Sequence, residues 1–548
     1  MLPMAANSSS QFLSALTSNV QQFRERNGIT AMNVVLTLFF ALIISKTVAY
    51  RRGVQTVRDL PGFRILFHPL NLPGVILPTS WWNPGYLFPW YWRDSAYKRY
   101  GNDTISVVPF LAGPTGFYTS NLDVARQVIT GAHKCSFFKH ENSTQAFLLW
   151  GMNLVAADGD TWRKHRRIMG PAFNNALYDM VWSETLRTYK EMISAEGWDS
   201  KDEIEIPVIQ KLTFQLALLI IGKCGFGFSF NWFAPPKSDD GRMSIQEALR
   251  IVADTHMAAI FTPKWVQNLP IKGMQEMREA HDILTAFMQS QVAERKAELS
   301  SGGVPGSDAF TMLVKANEDE GSKYKLDDQE LIGNVFVMLF AGHETTAHTL
   351  AATLGFLAMY DNLQDEVYQQ IVEVVGLQRD PTMEDYPKLD KVLAAFYEAL
   401  RMFPAGHIMI RDAFEDTVLH IPKPVGEEGT ISVPIQKGMQ VVVDMIGVQY
   451  NPRYFDQPEE YRPSRWYGLA NESEAFSAFS IGPRACIGRK FATVESVCFL
   501  ALILRDYKVE PLLNSGETRQ QWRDRVLDGK VVLTLGVKDV PVRVTRRK

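Results

Sequence analysis

The sequence is poor in cysteine: four residues in 548, at Cys135, Cys224, Cys486 and Cys498. None forms a C-x-x-C pair, and no Cys/His cluster has zinc spacing. That excludes a disulfide framework and a zinc module as organising devices, and it puts the main body in a reducing compartment. Charge of one sign is scarce as well. Lys and Arg number 57 against 60 Asp and Glu, a formal net charge of −3, so nothing favours a nucleic-acid partner. The glycine fingerprint of a flavin or nicotinamide site is missing, which excludes a chain that draws electrons from such a cofactor of its own. Internal repeats are absent, and no tract is of low complexity beyond a polar N-terminal tail, so a repeat array is excluded too.

What remains is the composition of a globular chain, 46% hydrophobic and 21% charged, long enough for a large core. Residues 29–45 form an uncharged run of seventeen, ITAMNVVLTLFFALIIS. Lys46 can snorkel and residues 47–50 extend the run to about twenty, enough to cross a bilayer. Lys46, Arg51, Arg52 and Arg58 follow it, against Arg24 and Arg26 before it, so the positive-inside rule puts the main body in the cytosol. A cleaved signal peptide is the competing reading, but the run is longer than a signal core and lacks a conspicuous small-residue cleavage site. Asn7-Ser8-Ser9 is either a glycosylation acceptor or a chance match. Six prolines between 59 and 90, among Trp81, Trp82 and Trp90, read as a stiff connector whose tryptophans suit a membrane interface or a packed domain surface. The expected organisation is a tail over 1–28, a transmembrane anchor over 29–50, a proline-rich hinge over 51–90 and a catalytic domain over 91–548.

Near the end of the chain stands Phe479-Ser480-Ile481-Gly482-Pro483-Arg484-Ala485-Cys486-Ile487-Gly488, followed at once by an apolar, helix-competent run. Gly482 allows a sharp turn, and Gly488 lets the backbone approach a flat macrocycle. Arg484 offers a planar charge fork to a carboxylate. N–H groups after Cys486 lie at a helix start, where they should donate to the sulfur and lower its pKa. Without further context a buried structural cysteine in a glycine turn fits the same text. The stretch resembles the cysteine loop of the cytochrome P-450 family, Phe-x-x-Gly-x-Arg-x-Cys-x-Gly, at every defined position.

Three further segments follow that family's order. Trp162 and Arg166 share a helix face, either as the family's Trp-x-x-x-Arg, which reaches a haem propionate, or as part of a solvated basic face. Arg163, Lys164 and Arg167 point elsewhere and are free to meet an acidic redox partner. Asp327 and Glu330 read as a capping pair ahead of an apolar helix that Ala341-Gly342-His343-Glu344-Thr345-Thr346 interrupts. The Thr345 hydroxyl can bond back to the Ala341 carbonyl and open a polar groove, with Glu344 and Thr345 as an acid–alcohol pair; a plain helix kink is the alternative. Glu398 and Arg401 lie three apart on an apolar helix, and Arg465 in Tyr461-Arg462-Pro463-Ser464-Arg465-Trp466 would complete a structural triad that braces the cysteine loop. Tyr461, Ser464 and Trp466 depart from the family's usual residues without removing that arginine. Strand-like alternation over 103–120 and turns over 403–443 add a small β portion. A loop is expected over 300–308.

The resemblance implies a mainly α fold with a small β portion, preceded by one transmembrane helix. It implies haem b with Cys486 as axial ligand and metal-binding residue. Phe479, Gly482, Arg484, Gly488, Trp162, Arg166, Ala341 and Gly342 would be the other cofactor-binding residues, and Glu344 and Thr345 the catalytic pair. Phe147, Leu148, Leu149, Val337, Met338 and residues 406–409 would line the substrate pocket. Electrons would come from NADPH through a membrane-bound cytochrome P-450 reductase, with cytochrome b5 a second candidate donor. The substrate would be lipophilic, a sterol or triterpenoid first, then fatty acids and aromatics. The site would be the endoplasmic reticulum membrane, and the style resembles fungal members. Two other classes share these features: a same-fold enzyme that rearranges peroxides without dioxygen, and a non-enzymatic haem sensor.

Overall fold

A computed structural model describes residues 31–548, apart from 59, 130–135, 140–143, 145–146, 234–236, 238–241, 302–305, 320, 322, 425, 470–475, 532–533 and 548. The tail over 1–28, Asn7, Cys135 and residues 302–305 of the expected loop lie outside the described residues. The chain divides into two compact units, 1–86 with 106–116, and 87–105 with 117–548.

The first unit begins with α1 (Ala31–Thr56). The best 18-residue window within residues 32–56 has a mean hydropathy of 1.9 and is unburied, so the helix is long and apolar enough to cross a membrane. It continues past Arg51 and Arg52 rather than stopping at 50, because nothing before Pro61 breaks it. Its end is tied down locally. Lys46 Nζ donates to the Leu111 carbonyl at 2.7 Å, and Tyr50 meets Phe110 edge to face. The proline-rich stretch is more ordered than a connector. It contains β1 (Gly62–Phe67), paired in parallel with β2 (Thr104–Ala112) from Gly62 opposite Ser106, and the single turn α2 (Leu72–Ile76), which starts on a proline. Proline dictates where the strand stops; it does not forbid a strand between two prolines. Leu72, Ile76 and Trp81 are 71%, 70% and 81% exposed.

The second unit is mainly helical. In chain order its helices are α3 (Phe88–Tyr91), α4 (Leu122–Ile129), α5 (Gly159–Met169), α6 (Asn175–Ala195), α7 (Gln210–Phe226), α8 (Ile245–Phe261), α9 (Lys264–Gln267), α10 (Lys272–Ser300), α11 (Ala309–Glu318), α12 (Asp328–Met359), α13 (Asp361–Val375), α14 (Asp390–Met402), α15 (Met445–Gln449), α16 (Arg489–Asp506) and α17 (Arg519–Val526). Its strands are β3 (Gly116–Thr119), β4 (Phe137–Lys139), β5 (Glu203–Ile206), β6 (Ile408–Ala413), β7 (Thr417–Pro422), β8 (Thr430–Ile435), β9 (Gln440–Asp444), β10 (Tyr507–Pro511), β11 (Gly529–Val531), β12 (Leu535–Val537) and β13 (Val542–Arg546). β3, β9, β6 and β4 lie side by side in that order; β10, β13 and β5 form a second sheet, and β7–β8 and β11–β12 are hairpins.

The core is built around α12. Its 32 residues span about 48 Å. Most of its side chains on all faces are buried, which is why its apolar text shows little helical periodicity. It starts on a capping box, with Asp327 accepting from the Glu330 N–H and Glu330 accepting from the Asp327 N–H, the pair the sequence marks. α7, α14 and α16 contribute to the same buried cluster. Cys224 and Cys498 are buried there, and burial pushes both thiols up, so they act as small apolar residues.

Candidate active site

The cysteine loop is wound by its own backbone. Ala485 N–H donates to the Gly482 carbonyl at 2.9 Å, and Cys486 N–H reaches back to the Phe479 carbonyl at 2.9 Å. Gly482 sits at φ 65°, the left-handed conformation that its turn requires, and Ser480 beside it adopts φ 66°. Gly488 caps α16, and its N–H donates to the Cys486 sulfur. Arg489, the first residue of α16, lies over the rings of Tyr397, Phe476 and Phe479 at 5.5 to 5.7 Å. That stack fixes the base of the loop through cation–π contact.

Cys486 is exposed, whereas the other two described cysteines are buried. Enough protein still surrounds the sulfur to desolvate its charged form. Burial raises its thiol pKa, against the Gly488 N–H, Arg166 and Arg489, which all lower it. The expected depressed thiol pKa is therefore corrected: the stabilising donors are present, but desolvation of the thiolate outweighs them. A metal cation bound at the sulfur would offset this, because a coordinating thiol is deprotonated outright.

Behind the loop, Glu398 and Arg401 are both fully buried and bonded bidentately at 2.9 Å. Arg465 Nε joins Glu398 at 3.2 Å, so the three charges meet as the sequence implies. Trp466 adds a donor that the motif does not carry, its indole N–H reaching Glu398 Oε2 at 2.8 Å. Arg401 also donates to the Gln449 carbonyl at 2.8 Å, Gln449 Nε2 donates to Ser477 Oγ at 2.9 Å, and the Ser477 carbonyl accepts from Ser480 N–H. This chain of bonds runs from the triad to the cysteine loop.

On α12, Thr345 Oγ1 donates to the Ala341 carbonyl at 2.6 Å, the back-bond expected from the sequence. Val337, Ala341 and Thr345 are spaced four apart and form one stripe, with Ala341 its exposed member. Gly342 is turned toward α7 instead, where an added Cβ would stand 3.2 Å from Ile221 Cδ1. Glu344 Oε1 accepts from Thr534 Oγ1 at 2.6 Å. Val337 and Met338 are buried; Phe147, Leu148, Leu149 and Met409 are half-buried, and Gly406 is exposed.

α5 starts on Asp158, which accepts from the Gly159 N–H. Trp162 lies 4.3 Å from the Arg484 guanidinium, stacked beneath it, and Arg166 is close enough to Cys486 for its charge to act on the sulfur. Of the cations thought free for a partner, Lys164 pairs with Glu330 at 2.6 Å, Arg163 pairs with Asp160, and Arg167 lies over the Tyr324 ring. Helix packing of α5 on α12 claims Lys164, which the sequence spacing alone cannot reveal.

Two further cations were not found from motifs. Lys139, at the end of β4, and Arg411 of β6 face each other in the β4–β6 ladder. Arg484 bonds Asp158 and donates to the Ala157 carbonyl at 3.0 Å, and Lys139 Nζ donates to that same carbonyl at 3.0 Å. Burial, with Arg484 and Arg411 nearby, brings the Lys139 pKa down to about 7, while Asp158 opposes the shift. Lys139, Arg411 and Arg484 thus form a basic cluster, with Asp158 among its counter-charges. Haem fits this donor set: a cysteine sulfur supported by an N–H donor stands beside basic side chains of the kind that receive carboxylates.

Comparison with known proteins agrees. The family model for Cytochrome P450 matches residues 14–529. Cytochrome P450 monooxygenase 124 of Postia placenta is 32% identical over 94% of this chain and all of its own length. Cytochrome P450 monooxygenase prx9 of Penicillium rubens is 25% identical over 81% of this chain and 82% of its own. The cytochrome P450DA heme domain superimposes with a TM-score of 0.67 at 21% identity, covering 88% of this chain and 98% of that one, which establishes the fold. The chain belongs to the cytochrome P450 family of haem-dependent monooxygenases.

Proposed function

We propose that this protein is a membrane-anchored monooxygenase that hydroxylates a lipophilic substrate, a sterol or triterpenoid first, with Cys486 as its iron ligand. Haem b supplies dioxygen activation when bound, and a thiolate ligand favours O–O cleavage. The chain's own residues do the rest. Cys486 is held as a ligand by the Phe479 carbonyl and the Gly488 N–H. Arg484, Trp162, Arg166, Lys139 and Arg411 would hold and orient the carboxylates of the cofactor. Thr345 offers its hydroxyl at the α12 groove, and Glu344, the adjacent residue, carries protons toward it. Val337 and Met338, buried on the same helix, would give the substrate side apolar surface.

The unburied helix α1 and the exposed Leu72, Ile76 and Trp81 support a bilayer setting, where lipophilic substrates concentrate. The endoplasmic reticulum membrane, with the second unit cytosolic, agrees with the basic residues that follow the uncharged run, Lys46, Arg51, Arg52 and Arg58. Reducing equivalents would come from NADPH through a membrane-bound reductase, with cytochrome b5 as an additional donor, because the chain has no flavin or nicotinamide fingerprint.

The observation that carries this reading is the exposed Cys486 with an N–H donated to its sulfur. The test is the carbon monoxide difference spectrum of the reduced protein beside that of Cys486→Ser. A red-shifted thiolate-type Soret band, absent from the variant, is expected. Haem-loaded wild-type protein without that band would overturn the assignment.

A further inference from the structure

The C-terminal hairpin β11–β12 lies along the face of α12 that carries Glu344. Thr534, just before β12, bonds Glu344 Oε1 through its hydroxyl at 2.6 Å and through its N–H at 3.4 Å. Gly536, two residues on, lies against His348, four residues on along the helix. A Cβ at Gly536 would stand 2.3 Å from His348 Nδ1 and 2.4 Å from its Cγ. Four helical residues advance about 6 Å, and two strand residues about 6.6 Å. Thr534 over Glu344 and Gly536 over His348 are therefore two points of one register. Glu344 and His348 share a helix face by their spacing.

The imidazole is tightly placed. It meets the Phe214 ring edge to face at 4.9 Å, and its Nδ1 is buried without a hydrogen-bond partner. Burial lowers its pKa, with Lys530 and His343 acting in the same direction and Glu344 and Asp539 against it. The ring thus serves as a neutral spacer, and the absence of a side chain at Gly536 is what lets the strand settle on it.

We propose that Thr534 is a positioning residue for Glu344, and that the Gly536–His348 contact sets its register. The hydroxyl holds the carboxylate on the β12 side of α12 and so controls how protons pass from Glu344 to the neighbouring Thr345. A charge-assisted hydrogen bond of this kind is stronger than a neutral one, so its loss frees the carboxylate to rotate. The inference rests on the acid–alcohol reading of Glu344 and Thr345.

The test uses the full-length haem-loaded protein with NADPH and a reductase, without added substrate. Oxygen uptake, NADPH oxidation and peroxide release are recorded together. Peroxide release consumes one NADPH per dioxygen and reduction to water consumes two, so the ratio reports proton delivery. Thr534→Val, which keeps shape and removes the donor, should raise the peroxide share roughly fivefold to tenfold, within the worth of a hydrogen bond to a charged group. Thr534→Ser should restore the wild-type share. Gly536→Ala should leak peroxide like Thr534→Val and also speed amide hydrogen exchange over 535–537, measured without NADPH. A Thr534→Val protein with an intact thiolate band and a wild-type peroxide share overturns the proposal, as does failure of Thr534→Ser to differ from it. Loss of the thiolate band in wild-type protein would instead sink the haem-ligand reading beneath it.

Discussion

Lys139 and Arg411 stand directly opposite each other in the antiparallel ladder of β4 and β6. Like charges so placed repel, and nearby anions relieve that repulsion. Asp158 supplies one, and Arg484 adds a further positive charge.

On the proposed reading, this pair would help to retain the haem carboxylates. Lys139→Gln and Arg411→Gln should each speed haem transfer to an apoglobin acceptor by roughly tenfold, within the worth of one charge-assisted hydrogen bond. Lys139, with its folded pKa depressed to about 7, has its charge disfavoured by burial. Without bound anions the folded chain binds fewer protons than the unfolded one between about pH 7 and the ordinary lysine range, so the Lys139 contribution to stability rises with pH there. Bound carboxylates oppose this shift and recover the lysine charge. Haem binding should accordingly take up a proton near pH 8, and Lys139→Gln should abolish that uptake, as read by calorimetry in buffers of different ionisation enthalpy.

Removing one member of the buried triad leaves the others without a partner. Arg401→Met should destabilise the protein by about 3–5 kcal/mol, the usual consequence of an uncompensated buried charge. Trp466→Phe keeps the ring and loses only the N–H to Glu398, which predicts about 1.5–3 kcal/mol. Urea-driven loss of the thiolate-type band measures both, and a smaller effect for Arg401→Met than for Trp466→Phe would contradict the burial order.

The Cys486 thiol should be slow to react in haem-free protein. Burial raises its pKa, so at neutral pH it carries less thiolate than an ordinary cysteine. Its iodoacetamide rate should keep climbing above the pH at which free cysteine levels off. Arg166→Leu should shift the curve further up, because that charge favours the thiolate. A downward shift would refute the electrostatic account.

Gly62 is needed for close strand approach rather than for a special turn. A Cβ there would lie 2.0 Å from the Ser106 carbonyl oxygen. Gly62→Ala should break the start of the β1–β2 pairing and cost about 2 kcal/mol or more locally. Faster amide exchange at residues 106–108 is the readout.

The features that sequence alone determined are local ones. The Asp327–Glu330 box, the Thr345 back-bond and the turn of the cysteine loop each join residues within a few positions, so residue type and spacing suffice. Glu398 and Arg401 are joined by helix spacing, but the arrival of Arg465 was legible only through the resemblance, since no spacing rule joins positions that far apart. Tertiary structure decided what remained. β-sheet register brought Lys139 to Arg411, helix packing took Lys164 for Glu330, and the C-terminal hairpin delivered Thr534 to Glu344. It also reversed the expected direction of the Cys486 pKa. The donors that favour the thiolate are written in the adjacent sequence, but desolvation is a property of all the atoms that fold around the sulfur.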